Sequence, residues 1–352
     1  MVAASLVCLL LQASLGLPAQ NDGERAFLRG DYAEAERYFR EAWKQAETEH
    51  APEAARASAI ASLAQVMLTL GRLKESEDLF DLSLEITARK TEDPKVRAIA
   101  LLNFSALLYQ TNRYERARSL LDEALELSVK HFGPQTSMTA NVLKNLGILK
   151  AMTGRTKDAQ ADLEKSLAIV EKKRTPEAGE LASVLGSLAS VYSMRKRYDD
   201  AEKLLQRSAE LLETAYGPYH SDVATILLNI ATQHVERKNF TAAEKPLRRA
   251  LAIREKVFGI DHVAVAQVKS QLATSLVGQK RYEEARDLYV AVLPIQERVL
   301  GTKSTEYLDS LEQYAAVLRN MKDVSLAESI EARAKYLRVE QMFTVPAQRL
   351  ER

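Results

Sequence analysis

The sequence predicts an all-α fold, one pair of helices used over and over, and three observations carry that prediction. A polar–aromatic–small hexamer returns at near-constant spacing: GDYAEA at Gly30, GRLKES at Gly71, NRYERA at Asn112, GRTKDA at Gly154, KRYDDA at Lys196, KNFTAA at Lys238, KRYEEA at Lys280 and KDVSLA at Lys322. The intervals are 41, 41 and then 42 residues. On both sides of each hexamer the apolar residues recur at helical spacing, and neither helix can bury its stripe alone. Only 13 Gly and 9 Pro are present in 352 residues, while the strong helix formers Ala, Leu, Glu, Arg and Lys dominate. Together these predict an α-helical solenoid of about eight helix pairs.

Within each hexamer the first residue must tolerate a tight turn, and the third wedges between helices. The last is Ala or Ser and lets two helices touch. Ala231 and Ala243, twelve residues apart, mark one such crossing, and Ala159 and Ala201 hold the place of Ala243 in other copies. The neighbouring Glu244 reads as exposed. A second turn is periodic too: Gly133, Gly217, Gly259 and Gly301 stop a helix with a residue suited to left-handed backbone, with Pro176 in the corresponding place between them. The pattern predicts helices over 53–70, 73–90, 95–111, 114–131, 137–153, 156–173, 179–195, 198–215, 221–237, 240–257, 263–279, 282–299, 304–320 and 324–341. A further helix over 32–45 precedes them, its partner near 22–29 looking truncated.

Residues 1–20 carry no charged side chain, and Leu6 to Leu11 form an apolar core too short to span a bilayer. This reads as a signal peptide, cleaved after residue 16 to 20, with Ser14 and Gly16 as the small residues before the cut. The protein is then exported, periplasmic or secreted; the alternative is an apolar first helix packed on the repeats of a cytoplasmic protein. Residues 21–341 form the array and 342–352 a C-terminal tail.

Composition excludes several functions. A net charge of +1 provides no field for nucleic acid or an anionic membrane. No segment after the leader is long and apolar enough to make this an integral membrane protein. Cys8 is the single cysteine and lies in the leader, so disulfides, redox pairs and thiolate metal sites are not expected. His50, His131, His220, His234 and His262 are dispersed; His220 and His262 stand one 42-residue period apart and read as turn residues. No phosphate-binding glycine loop or nucleophile elbow is present. Acidic pairs such as Asp199-Asp200 and Glu283-Glu284 open second helices, where negative charge suits the helix dipole. No catalytic residue, metal site, cofactor or small-molecule substrate is expected, and the protein is not expected to be an enzyme.

The repeats resemble the tetratricopeptide repeat, in the longer-period variety of kinesin light chains and many bacterial proteins. The likeness rests on Leu227-Leu228-Asn229-Ile230-Ala231, with Asn145-Leu146-Gly147 and Asn103-Phe104-Ser105 as further copies. It rests also on the second-helix run from Ala243 to Ile253 and the long turn from Gly217 to Ala224. The resemblance implies a right-handed superhelix whose first helices line a concave groove, and a non-enzymatic scaffold for protein or peptide partners. The rival reading is an accessory subunit of an enzyme or of a secretion or envelope complex, the activity residing on another chain.

Departures from the pattern carry their own expectations. Lys150 and His234 stand where Tyr192, Leu276 and Leu318 stand elsewhere, which predicts looser packing. Glu331 replaces the apolar Leu205, Leu247 and Tyr289 of neighbouring copies, as suits a terminal cap. Pro246 and Pro294 fall inside second helices and should bend them.

By register, the inward positions are a polar column: Asn103, Asn145, Ser187, Asn229, Gln271 and Gln313. One turn earlier lie Asn141, Ser183, Thr225 and Gln267, and one turn later Ser190, Thr232 and Thr274. Asn and Gln offer both donor and acceptor, so such a column suits the N–H and C=O groups of an extended peptide. The several Lys and Arg of a carboxylate clamp are not assembled, because Lys144 has Gly186 and Leu228 as its equivalents.

Overall fold

The computed structural model describes residues 18–29, 31–90 and 93–344, and all regular structure among them is α-helical. The first unit of the chain, up to Pro218, holds α1 (Pro18–Arg29), α2 (Tyr32–Thr48), α3 (Glu53–Thr69), α4 (Leu73–Lys90), α5 (Pro94–Gln110), α6 (Tyr114–His131), α7 (Ser137–Met152), α8 (Thr156–Glu171), α9 (Ala178–Met194) and α10 (Tyr198–Tyr216). The second, from Tyr219, holds α11 (Ser221–Glu236), α12 (Phe240–Phe258), α13 (Val263–Gly278), α14 (Tyr282–Leu300), α15 (Thr305–Asn320) and α16 (Val324–Thr344). Odd-numbered helices are the first of each repeat, even-numbered the second, and each packs on its sequence neighbours within its unit. Expected boundaries agree to within about two residues, except that α2 and α16 run on to Thr48 and Thr344 and α1 begins at Pro18. The cleavage site expected after residue 16 to 20 thus overlaps the start of α1; residues 1–17 lie outside the described residues.

The hexamer is the corner of each repeat. Its third residue is the first of the second helix throughout: Tyr32, Leu73, Tyr114, Thr156, Tyr198, Phe240, Tyr282 and Val324. Its first residue is left-handed in all seven copies described, with Gly71 at φ 75° and Gly154 at 80°, and with Asn112, Lys196, Lys238, Lys280 and Lys322 between 56° and 66°. Gly30, the first residue of the earliest copy, lies outside the described residues. The turn closes as a helix C-cap motif, Arg281 N–H donating to Leu276 C=O at 2.9 Å and Lys280 N–H to Val277 C=O at 2.9 Å. Left-handed backbone costs an L-residue roughly 1–2 kcal/mol, partly offset because glycine loses more chain entropy on folding. Lys280→Gly is therefore expected to stabilise the second unit by about 0.5–1 kcal/mol. A urea titration showing a lower midpoint than wild type would mean the lysine side chain contributes more than its strain costs.

The second hexamer residue caps the helix. Asp31 and Asn239 accept from the backbone N–H of Glu34 (3.1 Å) and Ala242 (3.3 Å). At three Arg caps the guanidinium instead reaches the acid three residues on, Arg155 to Asp158 at 2.7 Å, Arg197 to Asp200 at 2.7 Å and Arg281 to Glu284 at 2.6 Å, whereas Arg113 pairs with Glu77 of the preceding repeat. Asp158, Asp200 and Glu284 also lie in the first turn, where the helix dipole favours them. His220 and His262 take the expected turn role, their Nδ1 atoms accepting from Asp222 N–H (3.3 Å) and Ala264 N–H (3.0 Å).

The sixth hexamer residue is wholly buried in every copy: Ala35, Ser76, Ala117, Ala159, Ala201, Ala243, Ala285 and Ala327. It faces a small residue of the first helix twelve positions earlier. A Cβ on Gly147 would stand 2.7 Å from Leu163 Cγ and 3.1 Å from the Ala159 carbonyl oxygen, so backbone meets backbone at this crossing. Buried serines tie the pair further, Ser76 Oγ donating to Ala64 C=O at 2.7 Å and Ser166 Oγ to Ala140 C=O at 2.7 Å.

Three charged side chains, Lys150, Glu244 and Glu331, have partners that the sequence alone did not name. Lys150 does not loosen its repeat: it forms an ion pair with Asp162, which itself replaces the leucine found at Leu120, Leu204 and Leu288 in other copies. Two charges have been exchanged for two apolar groups across one contact. Glu244 is not simply exposed, because its carboxylate is held by Arg248 (2.7 Å), Arg281 (2.7 Å) and Gln279 (3.1 Å). Burial raises its pKa, and these hydrogen bonds overcome that and hold it below the ordinary carboxylate value. Glu331 is paired with Arg319 at 2.6 Å. The helices α12 and α14 continue through Pro246 and Pro294.

Candidate binding face

The polar column expected from sequence runs along the first helices at the repeat period, and two of its members, Thr225 and Thr274, bond to the second helix of their own repeats. Burial divides the column. In the first unit Asn103 is 4% exposed, Asn145 8%, and Ser187 is buried with its hydroxyl donating to Ser183 C=O at 2.9 Å; Asn141 is half-buried. In the second unit Thr225, Asn229, Thr232 and Gln271 are half-buried, while Gln267 and Gln313 are exposed. The exposed members of the column, Gln267 and Gln313, thus lie on α13 and α15 of the second unit.

Three column residues share an unusual property. Asn145 Oδ1, Asn229 Nδ2 and Gln271 Oε1 are withdrawn from solvent and have no hydrogen-bond partner among the described residues. All three occupy the same repeat position. A polar atom left in that state costs about 1–3 kcal/mol, and native proteins seldom leave such groups unpaired.

One side chain beside the column escaped sequence reasoning. Arg254 on α12 reaches past its own helix pair: its guanidinium donates to Gln267 Oε1 at 3.0 Å, to Ala264 C=O at 3.1 Å and to Thr225 Oγ1 at 3.4 Å. It thereby ties α11 to α13 and puts positive charge beside two column residues. Arg338, two periods on in α16, pairs with Asp309 and with Glu312 at 2.9 Å, both on α15 of its own repeat. The signal lay in the second helices, where Arg254, Gln296 and Arg338 follow one another at 42 residues and the earlier copies have Val170 and Leu212. Thr274 hydrogen-bonds the Tyr289 hydroxyl at 3.5 Å; burial pushes that phenol's pKa up, and the threonine contact pulls it partway back. Lys144 is 3% exposed and donates to Ser183 Oγ at 3.1 Å, so its charge is turned into the repeat stack.

Among the described residues no three His, Cys, Asp or Glu side chains are grouped to hold a metal ion, and no helix is long and apolar enough to cross a membrane. Comparison with known families is decisive for the fold. The tetratricopeptide repeat matches residues 96–172, 180–256 and 262–335, well over half of the chain. The chain belongs to the tetratricopeptide repeat family. Members of that family generally serve as protein-interaction scaffolds and are generally non-catalytic.

Solved structures agree on an all-α repeat solenoid. BtubC (BKLC) from P. vanneervenii is 19% identical with a TM-score of 0.57, over 69% of this chain and 96% of that one. The apo form of RapI is 17% identical with a TM-score of 0.56, over 79% of this chain and 96% of that one. A kinesin-light-chain-like protein with nearly identical tetratricopeptide-like repeats, from Podospora anserina, is 18% identical with a TM-score of 0.50, over 57% and 95%. No curated protein matches this tetratricopeptide repeat sequence.

Proposed function

We propose that this tetratricopeptide repeat protein is a non-enzymatic scaffold that binds an extended protein segment along the first-helix face of its second unit. The amides at one repeat position, each with an atom lacking a partner, carry the reading. Asn229 and Gln271 stand one period apart, and Gln313 follows at the next. A peptide backbone supplies the complementary N–H and C=O groups at every residue, so a column of amides recognises the main chain whatever its side chains. Arg254, beside Thr225 and Gln267, adds a preference for an acidic side chain on that segment.

The test requires a partner recovered by cross-linking from the native cell. Asn229→Ala and Gln271→Ala are expected to weaken binding by about 0.5–1.5 kcal/mol each in calorimetric titrations. Gln206 and Glu210, exposed on α10, serve as the control pair, and changing both to Ala is expected to leave the affinity alone. Unchanged affinity in the Asn229→Ala, Gln271→Ala double variant, with circular dichroism intact, would remove the amides from the binding site.

A further inference from the structure

Of the described helices α16 is the last, and its two sides differ in kind. Ala327, Ala334 and Leu337 are buried, the latter two packing on Tyr307, Leu308 and Leu311 of α15. On the opposite side Ser325, Ser329, Ala332, Tyr336 and Val339 are all exposed, Tyr336 at 62% and Val339 at 45%. Their spacing alternates four and three residues, the repeat of a helix-pairing seam. None carries a charge. The same repeat positions hold Glu283, Asp287 and Glu297 on α14, and Lys245, Arg248 and Glu255 on α12. A face that is charged on two second helices is cleared of charge on the third, while Tyr336 and Val339 add apolar surface to it.

The flanks of the seam decide what fits against it. On one flank Arg333 and Glu340 are engaged within their own chain, with Glu297 at 2.8 Å and Lys303 at 3.7 Å. On the other, Glu328 and Lys335 are exposed, stand seven residues apart and make no ion pair among the described residues. A second α16 laid antiparallel about Ala332 brings Glu328 beside the copy's Lys335 and Lys335 beside the copy's Glu328. Ser325 then meets Val339, and Ala332, small enough for close approach, meets itself. This is the reciprocity that a two-fold interface demands, residue i meeting j and j meeting i. A parallel pairing would instead draw on Arg333 and Glu340, which their own chain already holds.

We infer that the protein pairs with a second copy of itself through α16, the two helices antiparallel and centred on Ala332. The occupant of the seam is the same seam of the other chain. The inference uses neither the amide column nor any bound segment, so it stands apart from the proposed function.

Sedimentation equilibrium of the full-length chain tests the pairing, and wild type is expected to sediment as a reversible dimer. Glu328→Lys or Lys335→Glu alone sets like charges together at both ends of the seam and should weaken association about tenfold. Combining the two changes should restore it to within about threefold of wild type, a recovery that damage to the fold would not show. Tyr336→Asp should give a monomer with unchanged circular dichroism. Orientation is read with disulfides, in chains carrying Cys8→Ser so that each has one thiol. Mixed under mild oxidation, Ser325→Cys and Val339→Cys chains should link to one another and neither to itself. A monomeric wild type, a double charge variant as weak as either single one, or Ser325→Cys chains linked to themselves would each overturn the proposal. None of these results bears on whether Asn229 and Gln271 bind a partner.

Discussion

Ala243→Leu is expected to lower the stability of the second unit by roughly 1–3 kcal/mol. Ala243 is wholly buried where α12 crosses α11, opposite Ala231 twelve residues earlier. At the equivalent crossing in the first unit, Gly147 has no room even for a Cβ beside Leu163 and the Ala159 carbonyl. Three further carbons at such a site must separate the helices or force the side chain off its rotamer. Ala159→Leu should behave alike. Lys245→Gln, exposed on the same helix as Ala243, should stay within about 0.5 kcal/mol. Urea titrations followed by circular dichroism measure all three, and an Ala243→Leu midpoint equal to wild type would show that the crossing lies elsewhere.

The second large effect concerns Lys150 and Asp162, whose side chains are 25% and 10% exposed and form one ion pair between α7 and α8. Asp162→Leu leaves the lysine charge beside an apolar group. Breaking a fully buried pair costs about 3–5 kcal/mol, and the residual exposure of Lys150 reduces this to about 2–3 kcal/mol. Adding Lys150→Leu should return most of that loss, because leucine occupies each position in other copies, at Leu276 and Leu318 for Lys150 and at Leu204 and Leu288 for Asp162. The double variant is expected within about 1 kcal/mol of wild type or above it. A double variant as unstable as Asp162→Leu alone would mean the pair has no compensating relationship.

Helices and turns were legible because they depend on local chemistry repeated eight times. A left-handed residue, a cap and a small crossing residue recur at fixed positions in the hexamer, and left-handed backbone at Lys196, Lys238, Lys280 and Lys322 follows from position alone. Contacts between helices were less legible. Lys150 read as a misfit because Asp162 lies twelve residues away on another helix, and Glu244 read as exposed because Arg281 belongs to the next repeat. The amide column was visible by register, but register does not report depth: Asn103 and Gln313 occupy the same repeat position, one 4% exposed and the other exposed. Arg254 was missed because its stem starts on a second helix and only its length brings the guanidinium to the first-helix face.

The central functional claim is that a partner lies along the first helices of the second unit, and site-specific photo-cross-linking in the native cell tests it most directly. Gln267 and Gln313, both exposed on that face, and Lys245 and Val290, both exposed on second helices, each take a photoreactive amino acid in turn. The account predicts one discrete cross-linked partner from positions 267 and 313 and none from 245 and 290. The same partner captured through 245 or 290, with 267 and 313 silent, would contradict it.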